Sequence, residues 1–225
     1  MNKKCLACGL VNFSEEAACR RCHAELGLVQ NRPPEPDETS KKLDRAVIRV
    51  FKRFASAIVI AVIILFGIYF SLLQSAAPLT PEQNAKISRS IEILAEKGFE
   101  REVFLLSRTT AFRGTDNWLN RATKEETAYA ATNFPFQIVT IYESFFTRTE
   151  DETEQAMILL HEARHLQGEG EPEAYEFVWR NKKKLGWTKE KYAGSRVWQN
   201  VYEATHLHAS NLFRCDFNPN SDCTE

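Results

Sequence analysis

The chain has 225 residues and a formal net charge of −1, with 26% charged and 44% hydrophobic residues. This composition excludes a wholly disordered chain and a uniformly basic nucleic-acid-binding protein. The charge is unevenly distributed, however: residues 1–53 carry 11 basic and 7 acidic side chains, residues 74–225 carry 18 and 23, and the stretch between them carries none. A single soluble domain is not expected to show this distribution.

Four cysteines near the N-terminus follow the pattern C-x2-C-x10-C-x2-C, at Cys5, Cys8, Cys19 and Cys22. Two C-x2-C turns can place four thiolates around one tetrahedral Zn²⁺, and the metal supplies folding energy that about 26 residues cannot obtain from a core. A redox pair or disulfides are the alternatives, and neither suits two identically spaced pairs in a cytoplasmic segment. We therefore predict a structural zinc finger over residues 1–26.

The finer pattern of this finger is C-x2-C-x3-N-x6-C-x2-C, with Asn12 at the central position. It resembles the RanBP2-type zinc finger and, more loosely, the zinc ribbons that open many bacterial membrane proteins. RanBP2-type fingers that bind RNA use a Trp before the first Cys, whereas Lys3 stands there and the finger contains no Trp. Because the stacking platform for bases is absent, we expect a cytoplasmic protein partner and no nucleic acid.

An uncharged stretch of 20 residues, Phe54–Leu73, follows a linker over residues 27–53 that is first polar and proline-rich and then basic. A helix of this length spans about 30 Å, the thickness of the hydrocarbon core of a bilayer. A buried core helix and a cleaved signal peptide are the alternatives. We predict one transmembrane helix over residues 54–73.

Basic residues immediately before this span determine its predicted orientation. They are Lys41, Lys42, Arg45, Arg49, Lys52 and Arg53. Because positive residues stay on the cytoplasmic side, we expect the N-terminus in the cytoplasm, contact with the lipid bilayer, and residues 78–225 in the periplasm or outside the cell.

The predicted outer domain begins with a helix that Thr80 caps and Gly98 ends. The apolar run Val103–Leu106 predicts a short strand, Arg113–Asn120 a loop, and Phe136–Glu143 a strand rich in β-branched and aromatic residues.

The sequence HEARH at residues 161–165 is an HExxH motif in a predicted helix that a capping box at Thr149 starts and Gly168 ends. The spacing of His161 and His165 places both imidazoles on one helical face, where they can share a Zn²⁺. Glu162 can reach water at the metal and act as the general base. Chance alone would produce such a motif in roughly 1% of chains of this length.

A downstream acidic sequence, Glu171-Pro-Glu-Ala-Tyr, completes a pattern that resembles the gluzincin group of zinc metallopeptidases. This resemblance implies that Glu171 on the next helix is the third zinc ligand, with Glu173 as the second choice, whereas Glu169 and Glu176 are expected to be solvated. It also implies an edge strand that binds the substrate backbone, a role that Gln137–Glu143 could fill.

The C-terminal part of the sequence is less informative. Thr188 is predicted to cap a long helix that reaches about Phe213, and the run Lys182–Lys184 is predicted to be a solvated helix end. His206 and His208 are two residues apart, which argues against a shared metal. Three tryptophans are expected in the core or near the membrane: Trp179, Trp187 and Trp198.

Two further cysteines, Cys215 and Cys223, lie in the predicted outer domain and could form a disulfide in an oxidising compartment.

Together these patterns predict an α+β protein with a zinc finger, one transmembrane helix, and a mostly helical, zincin-like outer domain with a small sheet. The predicted function is a membrane-anchored zinc metallopeptidase that hydrolyses peptides or proteins and carries one zinc ion in each site. The alternative is a non-enzymatic transmembrane sensor or assembly factor whose finger binds a partner.

Overall fold

The structure is a computed structural model that describes residues 2–27, 38–123, 129–214 and 222–224. It divides into two compact units, Met1–Ala61 and Val62–Glu225, and the division falls inside one long helix. The fold is α+β with small sheets, as the sequence predicts.

The N-terminal finger contains a two-stranded antiparallel sheet of β1 (Lys3–Lys4) and β2 (Val11–Asn12). Two similar turns carry its cysteines: the Gly9 N–H donates to the Cys5 carbonyl and the His23 N–H donates to the Cys19 carbonyl, each at 2.8 Å. Gly9 and His23 both have positive φ angles, 75° and 58°. The turns therefore share one backbone conformation, as the repeated C-x2-C spacing predicts.

Helix α1 covers Glu38–Ser75. It is longer than the predicted span because the basic segment before that span contains good helix formers and no proline. The segment Ala46–Ser75 has a mean hydropathy of 2.7, and only 6% of its most apolar window is buried. A core helix would be mostly buried, and by length and composition α1 is able to cross a membrane.

Helix α2 (Pro81–Glu96) begins with the predicted capping box, in which Thr80 and Gln83 exchange hydrogen bonds. Helix α3 (Glu100–Phe104) and a π-helical turn (Leu105–Thr109) follow it. The strand predicted at Val103–Leu106 is therefore wrong. A short apolar run does not distinguish a strand from a buried helical turn. Here Glu102, just before the run, is buried and pairs with Arg164 at 3.0 Å.

The sheet of the larger unit has three short strands, β3 (Ala111–Arg113), β4 (Ala130–Asn133) and β5 (Ile138–Ile141), in the order β3-β5-β4. Strand β5 lies within the predicted strand and pairs in parallel with β3 and antiparallel with β4. The expectation that Gln137–Glu143 is an edge strand is therefore wrong, because β5 is the central strand. Strand β4 forms that edge of the sheet.

Helix α4 (Trp118–Thr123) occupies part of the predicted loop Arg113–Asn120. Its start depends on Asn117, whose Oδ1 accepts the backbone N–H groups of Leu119 and Asn120 at 3.0 and 3.1 Å. The Asn117 side chain also donates to Asn133 on β4 at 2.6 Å. A side chain that is paired across the fold thus caps a helix too short to show a periodic pattern.

Helix α5 (Glu143–Thr147) leads into α6 (Glu152–His165), which carries the HExxH motif. The N-cap of α6 is Asp151 and not the predicted Thr149. The Asp151 carboxylate accepts the N–H groups of Thr153 and Glu154, whereas Thr149 donates to the Phe145 carbonyl at 2.8 Å. Asp is at least as good an N-cap as Thr, which accounts for the shift of two residues.

Helix α7 (Glu171–Leu185) begins with Pro172 in its first turn and ends at Gly186, which has a φ angle of 83°. The long helix predicted from Thr188 is wrong. It is divided into α8 (Lys189–Tyr192), α9 (Arg196–His208) and a 3₁₀ turn (Ser210–Phe213). Ser195 starts α9 because its hydroxyl accepts the Trp198 N–H.

The core of the larger unit forms around α6, which packs between α2 and α7 and also meets β4. The three tryptophans Trp179, Trp187 and Trp198 are buried and in contact. This burial confirms their predicted place in the core.

Lys182 is not solvated as predicted, since only 2% of its side chain is exposed. Its ammonium group pairs with Asp222 at 2.8 Å and contacts Thr224. The Trp179 indole N–H also donates to Asp222, at 2.9 Å. The burial follows from these partners near the C-terminus, which the local run of three lysines does not reveal.

Candidate metal centre and cavity

Two imidazoles and one carboxylate meet where α6 approaches the start of α7. The Nε2 atoms of His161 and His165 lie 3.0 Å apart. Each lies 3.3 Å from an oxygen of Glu171. These three side chains present donor atoms that all lie within 4.8 Å of one another, close enough to hold one metal ion. Glu173, the second choice for this position, is not part of the group.

The turn between α6 and α7 determines the position of Glu171. Gly168 ends the first helix with a φ angle of 81°, a conformation that glycine adopts without strain. The chain then reverses, and Glu171 is the first residue of α7. A carboxylate at this position is also favoured by the partial positive charge of a helix N-terminus.

Arg164, inside the HExxH motif, holds this turn in place. Its guanidinium group contacts the Glu169 carboxylate through two nitrogens and donates to Glu102 at 3.0 Å. The Glu169 carbonyl oxygen in turn lies 2.9 Å from Nδ1 of His165. The expectation that Glu169 is solvated is therefore wrong, because this residue links Arg164 to the ring of His165. Glu176 pairs with Arg180 on α7.

Glu162 is 5% exposed and faces the sheet next to the two imidazoles. Its Oε2 accepts a hydrogen bond of 2.6 Å from the hydroxyl of Thr132 on β4. Nothing in the local sequence indicates Thr132, because residues 130–133 carry no clear strand pattern and the contact joins residues 30 positions apart.

The charged forms of these residues stabilise one another. Burial alone would lower the pKa of His165, but the hydrogen bond with Glu171 and the charge of Glu162 outweigh burial and raise it to about 9. Hydrogen bonds from His161 and His165 hold the pKa of the Glu171 carboxyl far below its usual range. Glu171 is thus an anion at neutral pH, and a metal ion bound here would have to displace the proton from His165.

An aromatic stack continues from the first imidazole. The ring centroids of His161 and Tyr175 are 4.4 Å apart, and Tyr175 stacks on His208 of α9 at 5.6 Å with an interplanar angle of 6°. His206 instead packs against Phe213, with a centroid separation of 4.9 Å. The two histidines therefore lie in different surroundings, in agreement with the expectation from their spacing.

A cavity of about 470 Å³ opens beside the His161–Glu171 cluster. Helix α9, strand β4, α6 and the start of α7 contribute its walls. The lining residues are Tyr129, Ala130, Met157, Ile158, His161, Glu162, Glu171, Tyr175, Asn200, Val201, Glu203, Ala204 and Leu207. Its volume is in the range of small-molecule and peptide side-chain sites.

The four cysteines of the finger form the second group of donors. Their Sγ atoms lie close together, with Cys5–Cys22 and Cys8–Cys19 separations of 3.5 Å, and none forms a disulfide. This group could bind a metal ion such as zinc. Hydrogen bonds from the backbone N–H groups of Cys22 and Arg21 lower the pKa of Cys19 to about 6, whereas hydrogen bonds with the neighbouring thiols raise the pKa of Cys22.

Asn12 explains the central Asn of the finger pattern. It is 3% exposed, and its amide donates to Cys19 Sγ at 3.6 Å and to the Leu10 carbonyl at 3.0 Å. Its Oδ1 accepts the Arg20 N–H at 3.1 Å. The side chain therefore joins the two cysteine turns.

The remaining cysteine pair is described in part. Cys223 is disulfide-bonded, and Cys215, its predicted partner, lies outside the described residues.

No family model, curated protein or solved structure matches the chain significantly. The resemblance to gluzincins and to zinc fingers therefore depends on the motif residues and on their geometry.

Proposed function

We propose that this protein is a zinc-dependent metallopeptidase anchored to a membrane by α1. The main support for this proposal is that His161, His165 and Glu171 converge beside the buried carboxylate of Glu162. Two imidazoles and one carboxylate leave a fourth position open, which is the ligand set of catalytic rather than structural zinc.

The donor atoms fit the size of a zinc ion. Ligands placed tetrahedrally about 2.05 Å from zinc are separated by about 3.3 Å. The two Nε2 atoms lie 3.0 Å apart, and each lies 3.3 Å from a different oxygen of Glu171. When bound there, zinc would supply Lewis-acid chemistry, which polarises a carbonyl and acidifies water.

The side chains around this site have distinct roles in the proposed reaction. Glu162 accepts the proton of the attacking water and passes it to the nitrogen of the cleaved amide, so that the elements of water add across the peptide bond. Thr132 positions Glu162 by engaging Oε2, and we assign the proton to Oε1. The Glu169 carbonyl holds the ring of His165 through Nδ1.

Strand β4 is the proposed docking edge for an extended substrate. It is the last strand in the order β3-β5-β4, it contributes Ala130 to the cavity, and it carries Thr132. A peptide that pairs with its outer edge would lie next to Glu162.

The anchor is proposed to orient the protein as its flanking charges predict. Basic residues of the segment 41–53 would keep the N-terminus in the cytoplasm, and residues from about 78 onward would lie in the periplasm or outside the cell.

The finger is proposed to hold a structural zinc ion and to bind a cytoplasmic protein. The side chains of Leu6, Val11 and Phe13 are exposed by 103%, 57% and 62%. These apolar groups support a protein-binding role, and they would do so in a non-enzymatic sensor as well.

Hydrolysis by the purified full chain in lipid nanodiscs tests the proposal. A library of quenched fluorescent peptides should be cleaved by the zinc-loaded protein. The Glu162→Gln variant should retain zinc and lose activity by a factor of about 10² or more. Glu173→Gln provides the control, because Glu173 lies outside the donor group. Full activity of Glu162→Gln would contradict the assigned base, and zinc-loaded protein without activity would favour the sensor.

A further inference from the structure

One face of α9 forms a wall of the cavity. Asn200, Glu203, Ala204 and Leu207 all line it, and their spacing places them along one side of a helix. Asn200 is held by its amide, which donates to the Tyr129 hydroxyl at 3.2 Å. The face therefore presents one carboxylate, from Glu203, between an amide and two apolar side chains.

Among the residues that the structure describes, the lining of the cavity contains three carboxylates and no lysine or arginine. Glu171 is engaged by the two histidines and Glu162 by Thr132. Within the described parts of the chain, Glu203 has no hydrogen bond or ion pair. Arg148 and Arg196 are close enough to Tyr129 for their positive charges to affect its hydroxyl group. Neither arginine lines the cavity.

These charges do not cancel when the proposed zinc ion is present. A divalent cation would offset two of the three carboxylates and leave one negative charge in the cavity. Glu203 is exposed and has no partner among the described residues, so it is the carboxylate that a ligand can pair with.

We infer that Glu203 selects substrates that carry an alkylammonium or guanidinium group, which it binds in the cavity next to the scissile bond. This inference rests on the proposed peptidase function and specifies the class of substrate. Val201 and Leu207 on the same helix, with Tyr129 opposite Asn200, offer apolar surface for the methylene stem of a lysine or arginine side chain. A terminal α-ammonium group has no such stem.

Peptide hydrolysis by the full chain in nanodiscs tests this selectivity. Three quenched peptides are compared: one with a single Lys beside the cleaved bond, the same peptide with norleucine there, and the norleucine peptide with a free N-terminus in place of an acetyl group. The Lys peptide should have a kcat/KM about fivefold higher than the acetylated norleucine peptide, the range expected for a partly exposed charge pair. That preference should decrease as salt rises.

The Glu203→Gln variant should reduce the preference to less than about twofold. Glu96→Gln, on the exposed end of α2, provides a matched control that should keep the fivefold ratio. An unchanged ratio in Glu203→Gln would overturn the inference. The inference would also be overturned if kcat/KM rose only for the peptide with a free N-terminus, because the site would then bind an α-ammonium group.

Binding separates this inference from the proposed function. The affinity of Glu162→Gln protein for fluorescently labelled Lys and norleucine peptides is measured with and without the additional Glu203→Gln change. If the Glu162→Gln protein binds the Lys peptide more tightly and this preference depends on Glu203, while the wild-type protein cleaves none of the peptides, the inference is supported and the peptidase function is refuted. Cleavage without charge preference supports the peptidase and refutes the inference, and absence of both binding and cleavage refutes both.

Discussion

Arg164 shows how one side chain within a motif can organise a site without touching a ligand. Its guanidinium group is shared between Glu169, whose carbonyl holds His165, and Glu102 on α3. A planar fork of donors can satisfy two carboxylates in fixed directions, whereas an ammonium group cannot. The variable positions of HExxH are therefore not interchangeable in this chain.

We expect Arg164→Lys to lower zinc affinity at the His161 cluster by a factor of about 10–100, the range found when groups that orient metal ligands are changed. Competition with a chromogenic chelator measures this. Arg180→Lys is the control, because Arg180 pairs with Glu176 on the exposed face of α7. Equal effects of the two substitutions would show that Arg164 does not act through the turn.

The hydroxyl of Thr132 fixes the position of the Glu162 carboxylate. Thr132→Val preserves the shape of the side chain and removes the hydrogen bond to Glu162, so kcat should fall about tenfold while the zinc content stays constant. Thr132→Ser restores the hydroxyl and should restore most of the activity. A loss of activity in both variants would assign Thr132 a packing role instead.

At the scale of elements, the start of α6 depends on a charged cap. Burial alone would raise the pKa of Asp151, but hydrogen bonds from Lys191 and Tyr192 outweigh burial and lower it. The contribution of such a group to stability is present above the unfolded-state pKa of about 3.9 and is lost as the pH falls through the lower folded-state value.

We therefore expect Asp151→Asn, which keeps a good N-cap, to flatten the acid side of the stability profile of the larger unit. Thermal unfolding between about pH 2 and 6 measures this. Asp116→Asn, which removes a charge outside α6, is the matched control. Parallel profiles for wild type and Asp151→Asn would contradict the role assigned to this charge.

The elements that were predicted correctly depend on local patterns. Each of three features can be recognised from a few neighbouring residues: the capping box at Thr80, the HExxH helix and the repeated cysteine turns. Strand β4, helix α4 and the burial of Lys182 depend on partners far along the chain, such as Asn133 for α4 and Asp222 for Lys182. These features depend on tertiary contacts, which cannot be inferred from the spacing of neighbouring residues.

The same distinction applies to the candidate site. His161, Glu162 and His165 follow from one motif, and Glu171 follows from its resemblance to a known pattern. The cavity wall on α9 could not be predicted in this way. The sequence predicted one long helix over residues 188–213 and did not show that Ser195 begins a separate helix, α9.

At the scale of the whole molecule, the end of α1 is tied to the domain that follows it. The Trp118 indole donates to Ser71 at 2.9 Å, and Arg121 donates to the Ser75 carbonyl at 2.8 Å. Leu72 between them is fully buried. The last turns of the apolar helix therefore belong to the same compact unit as the His161 cluster.

The orientation of the anchor is testable by charge reversal. Lys52→Glu with Arg53→Glu should produce a mixed topology, because positive residues near a membrane span hold it on the cytoplasmic side. Reporter fusions after residue 78 measure the fraction that is translocated. Arg20→Glu with Arg21→Glu is the control, since these residues are too far from the span to orient it. A fully translocated reporter in the Lys52 and Arg53 variant would contradict the assigned determinant.

Anomalous X-ray diffraction at the zinc absorption edge, from crystals of the purified full chain, shows directly whether His161, His165 and Glu171 hold a zinc ion. We expect a peak about 2.0–2.2 Å from Nε2 of His161, Nε2 of His165 and an oxygen of Glu171. A second peak among the four cysteines should accompany it and serves as an internal control. A peak at the cysteines with none at the His161 cluster would show that these two histidines and Glu171 are not a zinc site.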